Sequence, residues 1–231
     1  MVVGSWIART LDLAVCLIAP PQCSACDAPT DALSAFCPEC ARAVVLAPSP
    51  APSGDPHALA AFVYGGPMAR AIVRFKYEKR PDLARPLGDL LWRTLEPHAK
   101  ALRDAIVIPV PLHPSRLAER GYNQAALLGQ RVARRLGVRL VARALVRQRD
   151  TLQQATLGAL ARTTNVERAF RVVRPQLVRG RGVLLIDDVQ TTGATLSSSA
   201  IALREVGVSR IATAVLAISP SGALLSSAGV S

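Results

Sequence analysis

Aromatic residues are scarce: two tryptophans, three tyrosines and four phenylalanines in 231 residues. A core must therefore be filled by alanine, valine, leucine and isoleucine, and a hydrophobic share of 50% supplies enough of them for one full domain with a small appendage. No run reaches the roughly 18 apolar residues of a membrane-spanning helix. Acidic residues are also few, 16 against 28 lysines and arginines, for a formal net charge of +12. That excess points to polyanions: nucleic acid, phosphorylated small molecules or an acidic surface. The plainer reading is a solvated, arginine-rich surface, and composition does not separate the two. Two nucleotide-binding signatures are missing, G-x-x-x-x-G-K-[ST] and G-x-G-x-x-G. Their absence sets aside P-loop hydrolases and dinucleotide-binding folds. The N-terminal LDLAVCLIAPPQC imitates a secretion signal, but Asp12 interrupts the apolar run and Val15 is a poor residue before a cleavage site. Residues 6–18 read instead as a short helix with Trp6, Thr10, Leu13 and Leu17 on one face. A cytoplasmic protein follows.

Regular structure starts near Ala60. AAFVYGG reads as strand and turn, PMARAIVRFKYEKR as a basic helix, LARPLGDLLWRTL as another helix, and AIVIPVPLHP as a buried strand stopped by prolines. In YNQAALLGQRVARRLG, Leu128, Val132 and Leu136 recur every four residues and Gly137 closes a helix. Gly182 to Ile186 is a short buried strand, Ala194 to Val206 a helix ended by Gly207, and Arg210 to Ile218 a strand. Alternation of strand and helix predicts an α/β fold with a parallel sheet. Arg131, Arg134, Arg135 and Arg139 follow one another on or just beyond one predicted helix, so they are the first candidates for a nucleic-acid face.

Five cysteines are present, and four form two Cys-x-x-Cys pairs: Cys23 with Cys26, and Cys37 with Cys40. Each pair can make one knuckle, and two knuckles give a tetrahedral thiolate set for zinc. Two disulfides or four reduced structural thiols are the alternatives; the spacing favours zinc. A closed four-thiolate site has no open position, so such a zinc is structural. Cys16 lies outside the pattern and reads as a small buried hydrophobe.

The densest chemistry lies in GVLLIDDVQTTGATL, Gly182 to Leu196. A strand delivers Asp187 and Asp188 to its carboxyl end, where ligands of parallel sheets sit. Thr191, Thr192, Gly193, Ala194 and Thr195 then lead into a helix, offering hydroxyls, backbone N–H groups and the positive end of the helix dipole, an anion site suited to phosphate. Carboxylates beside a phosphate make sense if they accept from sugar hydroxyls. A ribose 5-phosphate satisfies both halves.

DDVQTTGAT resembles the phosphoribosyl-pyrophosphate (PRPP) motif of type I phosphoribosyltransferases. Together with FKYEKRPDLARPLGDLL, IPVPLHPSRLAERGYNQA, TLQQATLGALARTTNVERAF and the four-cysteine ribbon, it makes the chain resemble the ComF/GntX family of competence-associated, phosphoribosyltransferase-like proteins. One departure is Gln190, where apolar residues are more usual. The resemblance implies a type I phosphoribosyltransferase-like parallel sheet flanked by helices. It implies PRPP and Mg2+ bound by Asp187, Asp188 and Thr191 to Thr195, with Arg116, Arg120 and Lys76 on the pyrophosphate. It also implies a lid over 151–170 carrying Thr151, Gln154, Arg162 and Asn165, and a variable hood from Ala60 to Leu102 that selects the acceptor. His113 reads as a loop residue rather than a general base. The implied organisation is an N-terminal helix and zinc ribbon over 1–47, a Pro-rich linker over 48–57, the phosphoribosyltransferase-like domain over 58–218 and a loose tail over 219–231. The implied function is phosphoribosyl transfer to an unknown acceptor, linked to DNA uptake. The alternative is a non-catalytic PRPP sensor or single-stranded-DNA-handling factor.

Overall fold

The computed structural model describes residues 21–31, 34–48, 58–148 and 169–219. The chain opens with the cysteine ribbon, whose second knuckle starts a one-turn helix, α1 (Pro38–Arg42). It then forms β1 (Ala58–Val63), α2 (Gly66–Tyr77), α3 (Ala84–Leu95), α4 (Ala99–Leu102), β2 (Ala105–Pro109), α5 (Pro114–Arg120) and α6 (Gln124–Leu136). The remainder comprises β3 (Leu145–Arg147), β4 (Phe170–Val172), β5 (Gly182–Gln190), α7 (Ala194–Glu205) and β6 (Arg210–Ile218). Four strands make one parallel sheet in the order β1-β6-β5-β2, and β3 pairs antiparallel with β4.

Successive residues of a strand face opposite sides, and this sheet is apolar on both. Val107, Leu184, Ile186, Ala214 and Leu216 face a cluster with Ile72 and Phe75 of α2, Leu87 and Leu91 of α3, and Leu128 and Val132 of α6. Ile106, Ile108, Val183, Leu185 and Val215 face the other cluster, with Leu196 and Leu203 of α7 and Leu145 and Phe170 of the β3–β4 pair. Near-continuous apolar strands are what a sheet covered on both faces requires. Each fully buried leucine or isoleucine contributes about 1.5–3 kcal/mol of burial. Gly88 brings α3 against α6, since a Cβ there would lie 2.8 Å from Cβ of Arg131.

Two expectations change. The strand read over Gly182 to Ile186 runs on to Gln190, because Asp187, Val189 and Gln190 keep pairing with Val215, Ala217 and Ile218. The aspartates are thus paired residues within the strand rather than residues just past its last paired position. The segment from Ala60 to Leu102, read as a hood, supplies β1, α2, α3 and α4, and β1 is an edge strand of the main sheet. The ribbon also packs on the domain. Val63 N–H donates to the Val45 carbonyl and Ala47 N–H to that of Ala61. Cys23, Phe36, Cys37 and Cys40 join the cluster of Phe62, Met68 and Phe75.

Candidate functional site

Parallel pairing brings the carboxyl ends of the strands to one side of the molecule. Pro109 of β2 pairs with Ile186, and Val110 N–H donates to the Ile186 carbonyl at 2.8 Å. The segment from Val110 to Gly121 therefore leaves the sheet directly beside Asp187 and Asp188. At the same end, the last turn of α2 presents Lys76, whose Nζ lies 2.8 Å from Oδ1 of Asp188.

Adjacent strand residues diverge, so the two aspartates have different surroundings. Asp188 lies on the face of Leu184 and Ile186, toward α2, and is buried with Lys76 as its counter-charge. Asp187 lies on the other face, and its Oδ1 accepts from Asp188 N–H at 2.8 Å. Burial pushes its carboxyl up to about 7, and the neighbouring Asp188 charge adds to this against the opposing pull of Lys76 and Arg147. Asp188 is buried and Asp187 half-buried, so neither is the fully solvated carboxylate that an open strand end implies.

Beyond β5 the chain turns through Thr191, Thr192 and Gly193 into α7. Gly193 adopts φ 78°, a left-handed conformation that glycine reaches without strain. Thr192 Oγ1 accepts from Ala194 N–H at 3.4 Å. The first-turn amides of α7 have no carbonyl of their own helix to bond, and Thr191 and Thr192 are exposed around them. The loop keeps the donor set an anion needs. Gln190, the departure in the motif, is buried, and its Nε2 would stand 3.3 Å from a Cβ at Gly193. It packs behind the loop.

The basic segment read as a loop contains the seven-residue helix α5. His113 caps it, its Nδ1 accepting from Ser115 N–H at 3.4 Å and lying 2.7 Å from Ser115 Oγ. Arg116 is partly exposed on this helix, whereas Arg120 is buried. Arg120 stacks 4.9 Å from the centroid of the Tyr77 ring and donates to Tyr77 Oη and Gln124 Oε1.

That contact belongs to an arrangement the motif RGYNQ did not disclose in sequence. Tyr122 Oη and Gln124 Nε2 both donate to the Phe75 carbonyl, at 2.7 and 3.3 Å. Asn123 caps α6 through Ala126 N–H and donates to the Val110 carbonyl at 3.0 Å. Gly121 makes the turn at φ 80°. Arg120, Tyr122 and Gln124 thus clamp the end of α2, which carries Lys76 to Asp188, while Gly121 and Asn123 set the turn into α6. Tyr122→Phe removes one buried hydrogen bond, so it should cost about 1 kcal/mol of stability. It should also weaken binding at the Asp188 end more than a surface change does; a thermal melt beside a ligand titration checks both.

The four cysteines form a second site. They are free thiols whose sulfurs lie within 4.8 Å of one another, with Cys26 to Cys37 at 3.8 Å and Cys26 to Cys40 at 3.7 Å. A tetrahedral ion with bonds of about 2.3 Å requires sulfur separations of about 3.8 Å, so the set fits one. Burial pushes the Cys40 thiol up to about 12. Burial also raises Cys23, but hydrogen bonds from the Cys37, Ala25 and Cys26 backbone outweigh it and leave that thiol lowered to about 7. Arg70 approaches Cys40 Sγ at 3.8 Å, a cation placed to balance thiolate charge. Arg74 and Arg80 bind Asp27 between the knuckles, at 2.6 and 3.2 Å. The hydrogen bond from Arg74 is the main cause holding the Asp27 carboxyl below its ordinary range.

Of the arginines singled out on α6, Arg131 and Arg135 are tied to Asp89 at 2.7 and 3.1 Å. Half of that set therefore carries local counter-charge. Residues 151–168, with Thr151, Gln154, Arg162 and Asn165, lie outside the described residues, as do the N-terminal helix with Cys16, residues 49–57 and the tail from 220. The β3–β4 pair stands at the base of the segment read as a lid, and Arg147 there stacks 5.6 Å from the Phe170 ring centroid.

A parallel sheet flanked by helices, with an acidic strand end running through a Thr-Gly turn into a helix, defines a type I phosphoribosyltransferase-like fold. The phosphoribosyl transferase domain family matches residues 123–231. Competence protein F of Haemophilus influenzae is 37% identical over 153 residues, 64% of this chain and 66% of that protein. The DNA utilization protein YhgH of Escherichia coli K12 is 32% identical over 200 residues, 82% of this chain and 86% of that protein. The chain belongs to the ComF family of phosphoribosyltransferase-like proteins. Among solved structures, a glutamine PRPP amidotransferase from B. subtilis is 18% identical, with a TM-score of 0.42, over 62% of this chain and 30% of its own.

Proposed function

We propose that the carboxyl end of the sheet binds PRPP and that the chain transfers its phosphoribosyl group to an acceptor, releasing pyrophosphate. The observation that carries this reading is the junction of Asp187, Asp188 and Lys76 with the Thr191 to Thr195 turn at the start of α7. In this reading the turn takes the 5-phosphate through backbone and hydroxyl donors. Asp187 and Asp188 accept from the ribose hydroxyls, which requires Lys76 to be shared with or released toward the pyrophosphate. Arg116 on α5 serves the same leaving group; Arg120 supports it from behind by fixing Tyr77 and the end of α2. Mg2+, which would be held by the ligand and the two carboxylates, supplies charge neutralisation of pyrophosphate. The protein's own contribution is to orient the two ends of PRPP and to stabilise the departing anion.

The ribbon is proposed to hold a structural zinc through Cys23, Cys26, Cys37 and Cys40. Four thiols kept reduced suit a cytoplasmic location. Among the described residues, no helix is long and apolar enough to cross a membrane.

The test is magnesium-dependent pyrophosphate release from PRPP across a library of bases, nucleosides and amines. Release with one acceptor class, abolished by Asp188→Asn, supports transfer. PRPP binding without release from any acceptor leaves the non-catalytic, PRPP-sensing reading. A second reading, the handling of single-stranded DNA, draws support from the net charge of +12 and from the names of the relatives.

A further inference from the structure

A second concentration of charge lies away from the aspartates. At the opposite end of the sheet, where β2, β5 and β6 begin, lies a cavity of about 760 Å³. Arg103, Arg139, Arg181 and Arg210 line it, against the single carboxylate of Asp104. Among the described residues, Arg103, Arg139 and Arg181 form no ion pair, unlike Arg74, Arg80 and Arg131.

The backbone fixes this arrangement. Arg139 is held to the outer edge of β2 by a bond from Val107 N–H to its carbonyl at 2.9 Å. Ser209 N–H donates to the Arg181 carbonyl at 2.9 Å, and Gly180 N–H to that of Gly207 at 2.7 Å. Arg210 crosses the start of β5, where a Cβ on Gly182 would lie 2.8 Å from its Nε, and its Nη2 donates to the Ala101 carbonyl at 2.6 Å. Glycine at 182 is thus what lets the guanidinium lie over the strand end. The basic rim continues past the cavity through Arg179, which donates to the Val206 carbonyl.

We propose that this basin is a second anion site, distinct from the aspartate end, and that it seats consecutive phosphates of a single-stranded nucleic acid. Several uncompensated guanidinium groups in one concavity suit several phosphates, and the continuing rim suits a polymer better than one small ligand. A positively charged groove that follows the backbone is a recurring form of single-strand binding. No aromatic side chain lines the cavity, so contact is with the backbone rather than by base stacking, and binding is expected to be sequence-independent and steeply salt-dependent. This deepens the DNA-handling reading by giving it a place, and it is independent of PRPP.

The experiment is fluorescence anisotropy of a labelled oligothymidylate 20-mer with the full chain over a series of salt concentrations. Arg103→Gln/Arg139→Gln/Arg181→Gln should weaken binding at least about tenfold at low salt. It should also flatten the log–log salt slope by about 2, the value for three phosphates of a single strand. PRPP titration with magnesium should be unchanged, because Gly182 and Asp188 are about 20 Å apart along β5. Ser209→Glu, one exposed substitution that places a carboxylate in the basin, should act in the same direction and guards against a triple variant that fails to fold. An unchanged slope in both variants overturns the site while leaving DNA binding itself intact; a parent that binds no oligonucleotide overturns both. An equal loss in the control Arg42→Gln/Arg93→Gln/Arg171→Gln, three exposed arginines away from the basin, shows diffuse charge and overturns the site as well. Duplex bound as tightly as single strand, or inorganic tripolyphosphate displacing the 20-mer with equal affinity, overturns the assignment of the ligand.

Discussion

Asp187→Asn/Asp188→Asn is expected to weaken PRPP binding by about two orders of magnitude or more. In the proposed reading each carboxylate would accept charge-assisted hydrogen bonds of about 1.5–3 kcal/mol, and the pair would help hold magnesium near ribose and pyrophosphate. Calorimetric titration with PRPP and magnesium measures this; affinity equal to the parent's would remove the ribose assignment and with it the reading of the Thr-Gly turn. The single variants should differ in stability. Asp187 carries a carboxyl raised to about 7 by burial and by Asp188, well above the ordinary value of about 3.9. Its contribution to stability is full below about pH 4 and is lost as pH rises through about 7. Asp187→Asn should therefore raise the melting temperature at pH 8 and have little effect at pH 4. Asp188→Asn should lower it, because Lys76 loses the partner 2.8 Å away. Melts of both variants at the two pH values decide. The same ionisation sets ligand binding: PRPP affinity should climb as pH rises toward 8 and the second carboxylate loses its proton. In the proposed reading function is in tension with stability, since Asp187 stands beside Asp188 with its carboxyl raised, and the hydroxyls and cation brought by PRPP and magnesium would relieve it.

Cys37→Ser is expected to remove stoichiometric metal and to do more than unfold an appendage. Structural zinc in small ribbons contributes about 10–16 kcal/mol of apparent binding energy, more than so few ordered residues recover by burial. Cys23, Phe36, Cys37 and Cys40 pack into the cluster that contains Met68, Ile72 and Phe75 of α2. Arg70 and Arg74 on the same helix reach Cys40 and Asp27. Loss of the metal should loosen α2 and so reduce PRPP affinity through Lys76, while hydrogen exchange stays slow in β2, β5 and β6. A parent with no bound metal and an ordered ribbon would rule out the zinc site. A Cys37→Ser protein with unchanged melting and unchanged PRPP affinity would rule out the coupling.

The elements of this chain are legible wherever one local rule governs them. The α6 helix follows from leucines and valine at helical spacing with Asn123 and Gly137 at its ends. β6 follows from a compact apolar run, and the Cys-x-x-Cys pairs from a spacing that only a few geometries satisfy. The acidic strand end and its Thr-Gly turn are also local, because Asp187 to Thr195 are contiguous and the strand carries them to one place. Sequence therefore determined the class of fold, the grouping of the four ribbon cysteines and the candidate phosphate turn. Contacts between distant segments decided the rest. The length of β5 depends on β6, since Asp187 to Gln190 count as strand only when Val215 to Ile218 lie beside them. The different surroundings of the two aspartates depend on which helix covers each face, and the pairing of Lys76 with Asp188 joins residues 112 positions apart, as their numbers show. RGYNQ reads as an ordinary turn and helix start until Phe75 and Tyr77 are placed against it. The arginines of the basin come from four separated segments, and only parallel pairing brings the starts of β2, β5 and β6 to one end. Local propensity acts over a few residues, whereas charge pairing and pocket formation act across whatever the fold makes adjacent, and no spacing in the chain encodes that.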